Sequence, residues 1–504
     1  PETERKILKP SKIDISGLDA VGAIQLLGSV EMDSLRVKTG VDNYPRLGDR
    51  VYSAPHEFIS QLPLLIDKIN ENVEESVLIS VGYVDDTGKS IVKIKPEKLF
   101  GRHCAILGTT GGGKSWTTAH LIEECIKYNS KIILIDPTGE YRNFLGDHIQ
   151  HCSLGSPPDT DNSIQCSLPP NSFIESDFIA LFEPAGRVQG PKLRAAIRSL
   201  RLAEIIEKCE QEKELVRKGY IEKINQPKQK ILALESKYSA KIDDPKQSFN
   251  INFLVNQIEQ ECVRPGTSEN WGTADESSYS NCLSLITRIN TILTSPAFRC
   301  VFQPKDGDKP ILEAVEEFLN NSKRLLRICV SGISYEFRAR EIIANALGRA
   351  LLNKAREGLF NQKPVLIFLD EAHNFLGRSI GSEDNIYRLD AFELIAKEGR
   401  KYGLNICLAT QRPRDITEGV LSQMGTLIVH RLINDSDREV VERACGEIDR
   451  AASSFLPNLK PGEAAIIGID FPIPLTIQVL KPSNPPISDG PDFQNTWKLR
   501  YNKI

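Results

Sequence analysis

The chain has 504 residues, 40% hydrophobic and 26% charged, with 63 Lys or Arg against 67 Asp or Glu and a net charge of −4. That length suggests about three domains, and the composition is that of an ordinary globular protein rather than a disordered or polycationic chain. No apolar run approaches the ~20 residues that span a bilayer, and the charged opening Pro1–Pro10 does not read as a signal peptide. The eleven cysteines are scattered, without a Cys-x-x-Cys pair, which predicts reduced thiols in a cytoplasmic protein rather than disulfides or a zinc site.

In chain order, residues 1–97 carry short alternating runs (Ala23–Val30, Arg50–Ser53, Val77–Val84) broken by Gly and Asp, and a helical stretch near Phe58–Asn70. This pattern predicts a small β-barrel. An apolar strand, His103–Leu107, then runs into Gly108-Thr109-Thr110-Gly111-Gly112-Gly113-Lys114-Ser115, and Ser115–Tyr128 has helical periodicity. Strand, glycine loop and helix are the context of the phosphate-binding loop G-x-x-x-x-G-K-[ST]. Its amides and the helix dipole would cradle a polyphosphate, Lys114 would reach the β- and γ-phosphates, and the Ser115 hydroxyl would ligate Mg²⁺. The sequence therefore predicts binding of a nucleoside triphosphate.

A second strand ends at Asp136, but the next carboxylate-bearing strand comes only at Pro364–Leu369, followed by Asp370-Glu371. That gap makes 169–309 a helical insertion between two halves of one core, 98–168 and 310–480. Within it, Arg187–Lys230 holds twelve Lys or Arg against six Glu, a net of +6. Its first helix is expected to begin at Gly190-Pro191, with Arg194, Arg198 and Arg201 on one face. Those three are candidate phosphate-backbone contacts for a nucleic acid in a pore, set against a solvated face interleaved with Glu. At the far strand, Asp370 would complete the Mg²⁺ shell and Glu371 would polarise an attacking water, which favours hydrolysis over simple binding. Ala391–Gly403 is helical and closes on Arg400-Lys401; Asn405–Ala409 is a further strand delivering Thr410-Gln411 to the same edge, where Gln411 can sense the γ-phosphate. Lys481–Ile504, with four prolines, reads as an extended tail that could strap onto a neighbouring subunit.

Taken together, Gly108–Ser115, Ile135-Asp136-Pro137-Thr138-Gly139-Glu140-Tyr141, Leu366–His373, Glu398–Gly403 and Thr410-Gln411-Arg412-Pro413 resemble the HerA branch of the FtsK/HerA ATPases. So do His103–Trp116, with Trp116 directly after the phosphate-loop serine, and the ending Gly462–Gly468. The resemblance covers roughly 10–110, 130–150 and 325–480. It implies an α/β, RecA-like P-loop core with an N-terminal barrel of the family's type, working as a homo-hexamer on double-stranded DNA with ATP and Mg²⁺. It also implies that Arg400 reaches into the site of the next subunit, with Lys401 and Arg431 as alternatives. Thr138 departs from the pattern, where the family usually carries His, and leaves the role of Glu140 open. The chain shows no nuclease motif of its own, so the resemblance implies a separate partner, a nuclease such as NurA or a sirtuin-like effector, in DNA end processing or antiphage defence. Against this motor stands a scaffold that uses ATP to hold a ring of effectors. A conjugation or secretion coupling ATPase is weakened by the missing membrane anchor.

Overall fold

Residue patterns dictate a long, mostly parallel sheet. Runs such as Lys131–Asp136 and Val365–Leu369 are rich in Ile, Leu and Val and buried along almost their whole length, as strands covered on both faces must be. The structure is a computed structural model that describes residues 26, 28–31, 36–39, 41–65, 76–85, 87–155, 158–208, 213–245, 247–376, 378–380, 387–445, 455–469, 471–487, 493 and 497. Thirteen strands form the main sheet. They are β1 (Ile79–Tyr83), β2 (Ile91–Ile94), β3 (Cys104–Leu107), β4 (Lys131–Asp136), β5 (Ile149–Leu154), β6 (Ser163–Ser167), β7 (Lys309–Pro310), β8 (Leu325–Cys329), β9 (Val365–Leu369), β10 (Leu404–Thr410), β11 (Thr426–Val429), β12 (Glu463–Gly468) and β13 (Phe471–Val479).

Their order across the sheet is β7-β6-β5-β8-β4-β9-β10-β3-β11-β12-β13-β1-β2. Every pairing from β7 to β11 is parallel, and every one from β11 to β2 is antiparallel. The strand before the glycine loop, β3, is thus separated from the carboxylate strand β9 by β10 alone. All three deliver their C-terminal ends to one edge, where open parallel sheets hold ligands.

Alternate residues of each strand enter different cores. Cys104 and Ile106 pack with helix α1 (Lys114–Ile126), while Ala105 and Leu107 pack with the opposite layer, which includes α3 (Ala339–Arg356) and α4 (Ala391–Glu398). Nine of the cysteines are buried and free, Cys104 and Cys407 being small core residues on paired strands.

The described residues depart from the sequence expectations at three places. Strands β1 and β2, assigned from sequence to an N-terminal barrel, extend the core sheet through β13. Among the described residues of 1–97 the other strands are one hairpin, Gly28–Glu31 with Arg36–Thr39, and no barrel is closed; residues 1–25 lie outside the described residues. Helix His56–Leu65 takes the place expected near Phe58–Asn70, and Arg50–Ser53 is not a strand. The long helix of the insertion, α2 (Gly186–Lys208), begins at Gly186, so Pro191 lies inside it rather than at its first turn. Between β6 and β7 the chain is otherwise helical, apart from the two-residue strands Val216–Arg217 and Tyr220–Ile221. Its outer part has a separate small core built on Leu202, Ile206, Ile231 and Ile242.

Candidate nucleotide-hydrolysis site

The glycine loop is shaped by positive-φ backbone and by close neighbours. Gly111 and Gly113 sit at φ 75° and 111°, and Gly113 caps α1 from a left-handed conformation that a side chain would strain. A Cβ on Gly108 would lie 2.6 Å from Cβ of His430, so only glycine lets β11 approach. The loop is pinned from outside: Thr109 N–H donates to Arg431 O at 3.1 Å, and Gly462 N–H donates to Gly112 O at 3.1 Å. Thr110 donates its hydroxyl to Gln411 Oε1 at 2.5 Å, which puts Gln411 beside the loop as its strand position implied. Ser115 is half-buried and Trp116 is exposed on the first turn of α1.

Lys114 is buried and bonds the two carboxylates that end β9. Its Nζ is 3.5 Å from Asp370 Oδ1 and 3.1 Å from Glu371 Oε1. Burial alone would favour a neutral lysine, but the facing carboxylates outweigh it and raise its pKa. Burial pushes the Asp370 carboxyl up, against the pull of Lys114. Glu371 follows in a left-handed conformation, φ 45°, rare for a residue with a side chain; strain of this kind collects at functional sites. Its Oε2 lies 3.3 Å from His373 Nδ1.

Glu140 joins this group. Asp136, at the end of β4, accepts from the amides of Thr138, Gly139 and Tyr141 and is clamped by the fully buried Arg327, Nε to Oδ2 at 2.8 Å. That folded turn presents Glu140 to the Ser115 hydroxyl. Burial and the nearby Asp370 raise the Glu140 pKa while the Ser115 hydrogen bond lowers it. Thr138 is exposed, its hydroxyl turned back to Asp136 at 3.3 Å, so the departure from His leaves the turn formed.

The donor set fits a hard divalent cation. Asp370 Oδ2 and Glu140 Oε2 are buried without a hydrogen-bond partner, a costly state unless something else compensates it. Yet among the described residues no three His, Cys, Asp or Glu side chains converge closely enough to hold a metal alone. A cation here would need oxygens from a phosphate chain and from Ser115, as expected for Mg²⁺ that arrives with its nucleotide.

His430 is a site residue that the motifs did not reveal. It is fully buried at the end of β11; its ring lies 2.8 Å from the Thr117 hydroxyl through Nε2 and 2.8 Å from Glu463 O through Nδ1. The carbonyl can only accept, so Nδ1 carries the proton and Nε2 accepts from Thr117. Burial depresses its pKa to about 4, so it stays neutral and props both the loop and α1. A signal for it exists in the sequence: Thr426–Val429 is another buried strand ending at the same edge.

Arg400 and Lys401 lie in the turn Gly399–Tyr402, just before β10 begins. They occupy the opposite edge of the sheet from the glycine loop, about 20 Å away along a seven-residue strand. There they line a cleft of about 490 Å³ with Arg102, His103 and Lys397. Among the described residues no carboxylate pairs with Arg400 or Lys401. Burial, then the charge of Arg400, lowers the His103 pKa to about 4. Arg400 cannot complete the site of its own subunit. Arg431 donates to Pro457 O at 3.0 Å.

Comparison with known proteins shows the family. The family model described as "Helicase HerA, central domain" matches residues 79–344, more than half of the chain, beginning at β1. The chain belongs to the HerA helicase family. A probable helicase of Methanocaldococcus jannaschii is 26% identical, covering 80% of this chain and 70% of that protein. A probable DNA double-strand break repair helicase HerA of the same organism is 22% identical over 93% and 89%, and the DNA double-strand break repair helicase HerA of Sulfurisphaera tokodaii is 24% identical over 87% and 77%. Among solved structures, VirB4 of Thermoanaerobacter pseudethanolicus superposes with a TM-score of 0.49 at 15% identity, covering 81% and 97%.

The insertion of this HerA-family chain does not present Arg194, Arg198 and Arg201 as one accessible face. Arg194 Nε bonds Glu175 Oε1 at 2.7 Å, and Arg198 is ion-paired with Asp243. Arg201 is buried, donating to Ile242 O at 3.0 Å beneath the Phe249 ring. The helix that looked like a phosphate track is, at Arg201, part of the packing.

Proposed function

We propose that this chain is an Mg²⁺-dependent ATPase that assembles head to tail into a homo-hexameric ring and translocates double-stranded DNA. The observation that carries this is the pair of unlike edges on one sheet. One edge holds Lys114 among Asp370, Glu371 and Glu140. The other holds the cationic cleft of Arg400 and Lys401. Two different surfaces that complement each other make a heterologous contact, and such contacts close into rings or run into filaments.

In the bound state the glycine-loop amides and Lys114 hold the phosphates, and this draws Lys114 off Glu371. Glu371, freed, accepts the proton of the attacking water, a role worth about 10²–10⁴ in rate. Gln411, fixed to the loop through Thr110, orients that water or reads the γ-phosphate. Bound Mg²⁺, held by Ser115 and Asp370, supplies charge neutralisation of the phosphate oxygens. Arg400 of the neighbouring copy stabilises charge on the transferring phosphoryl group, which ties hydrolysis to assembly.

The names of the relatives, DNA double-strand break repair helicases, support duplex DNA as the track. We assign the nuclease or other effector to a separate chain, in end processing or defence. Among the described residues no helix is long and apolar enough to cross a membrane. The test is ATP hydrolysis by the purified chain with and without linear duplex, beside Glu371→Gln. Stimulation by duplex, lost with retained nucleotide binding in the variant, is expected. Hydrolysis indifferent to DNA, with effector assembly intact in Glu371→Gln, would instead make the ring a scaffold.

A further inference from the structure

Residues 481–487, which follow β13, pack against their own subunit. Lys481-Pro482-Ser483-Asn484-Pro485-Pro486-Ile487 crosses the outer side of α1, stiffened by its prolines and with Pro482 and Pro486 buried. One carboxylate receives it. Glu123, nine residues along α1 from Lys114, accepts from Ser483 N–H at 2.7 Å, from Asn484 N–H at 2.6 Å and from Asn484 Nδ2 at 2.9 Å. The strap then reaches the turn that carries Glu140: Asn143 Nδ2 donates to Pro485 O at 3.4 Å, and Ile487 N–H donates to Glu140 O at 2.8 Å. The same residue whose backbone the strap holds has its carboxylate close to Lys114, Ser115 and Asp370, with Oε2 buried and without a hydrogen-bond partner.

We propose that Glu123 is a positioning residue that, through this strap, fixes the Glu140 carboxylate at the nucleotide site and so sets the cation-dependent part of nucleotide affinity. This rests on the reading of the site as an Mg²⁺-nucleotide site. A three-pronged carboxylate anchor on the very helix that starts at the phosphate loop holds a segment that is otherwise mostly exposed, with only Pro482 and Pro486 buried. Its effect is to make helix α1, the Glu140 turn and residues 481–487 move as one piece. The carboxylate at 140 then needs no ordering when the nucleotide arrives. Freed, it must be ordered on binding, and the loss falls only on states in which that carboxylate is used.

The experiment titrates the full chain with N-methylanthraniloyl-ADP in Mg²⁺ and in EDTA. In the unaltered protein Mg²⁺ should tighten binding. In Glu123→Ala that gain should shrink about three- to tenfold, the scale of a removed hydrogen-bond anchor, with affinity in EDTA changed less than about twofold. Glu140→Gln should reduce the gain similarly, and the double variant should be no worse than Glu140→Gln alone, as residues acting in one chain of contacts are non-additive. Ile487→Pro removes the N–H donor to Glu140 O while leaving Glu123 in place, and serves if Glu123→Ala does not fold; it should give the same loss. An unchanged Mg²⁺ gain in these variants, an equal loss in EDTA, or full additivity with Glu140→Gln overturns the proposal. Failure of the unaltered chain to bind the nucleotide would instead overturn the reading of the site.

Discussion

The two edges of the sheet teach different things about one machine. At the C-terminal edge the groups are mostly satisfied within the subunit: Lys114 is held by Asp370 and Glu371, Gln411 by Thr110, and His430 by Thr117 and Glu463. At the N-terminal edge Arg400 and Lys401 face a cleft without a carboxylate paired to them among the described residues. The second edge brings Arg400 and Lys401 to a cleft where no described carboxylate neutralises them. This asymmetry is what a heterologous interface needs, and it makes Arg400 the sharpest place to break the comparison.

The largest effect is therefore expected there. Arg400→Ala should lower the ATPase rate about 10³–10⁵-fold, the range for an arginine acting in trans on a phosphoryl group, with nucleotide affinity kept within about threefold. Mixing decides whether the action is across subunits. Lys114→Ala chains are inactive on their own sites but carry an intact Arg400. Combined with Arg400→Ala chains, they should restore part of the activity at interfaces that pair a good lysine with a good arginine. If mixtures hydrolyse no faster than either variant alone, while assembling normally, the trans assignment fails.

How far the sequence carried the reading depends on whether a residue's role is local. The glycine loop and Asp370-Glu371 were legible because each motif is contiguous and ends a recognisable strand. Gln411 was legible for the same reason. The place of β1 and β2 was not, since alternating residues fit a barrel strand and a sheet-edge strand equally, and only pairing with β13 decides between them. Glu140 was recognised but left open, because its contact with Ser115 depends on a turn clamped by Arg327, nearly two hundred residues away. Arg201 misled because helical spacing shows which residues share a face, not which way that face points.

A middle-sized effect sharpens the interior of the catalytic edge. His430 and His103 have pKa values depressed to about 4, so the folded chain binds fewer protons than the unfolded one between there and the ordinary value of 6.5. Their contribution to stability is complete above about pH 6.5 and is lost as pH falls through that window toward 4. Asp370 and Glu140, with raised pKa values, act in the opposite sense and bind protons more readily when folded. His430→Gln removes one of the histidines whose pKa is depressed and should flatten the decline. Its Tm penalty, measured by thermal unfolding, should be smaller near pH 5 than at pH 7.5. An equal penalty at both values would mean that His430 is held by packing alone.

The smallest effects should come from the insertion, and they test whether it belongs to either edge's work. Arg198 is exposed and ion-paired, so Arg198→Ala should change stability by less than about 1 kcal/mol. Arg201 is buried, with a carbonyl partner and an aromatic ring over it, and Arg201→Ala should cost about 1–3 kcal/mol. Duplex binding separates packing from recognition. If α2 is a packed element, Arg198→Ala leaves the slope of log affinity against log salt unchanged. If Arg198 instead neutralised a DNA phosphate, the substitution would lower that slope by about one unit. Because Asp243 already neutralises the guanidinium, recruiting it to a phosphate would require breaking that pair. The unchanged slope is the expected result, and it would move the search for the DNA track away from α2.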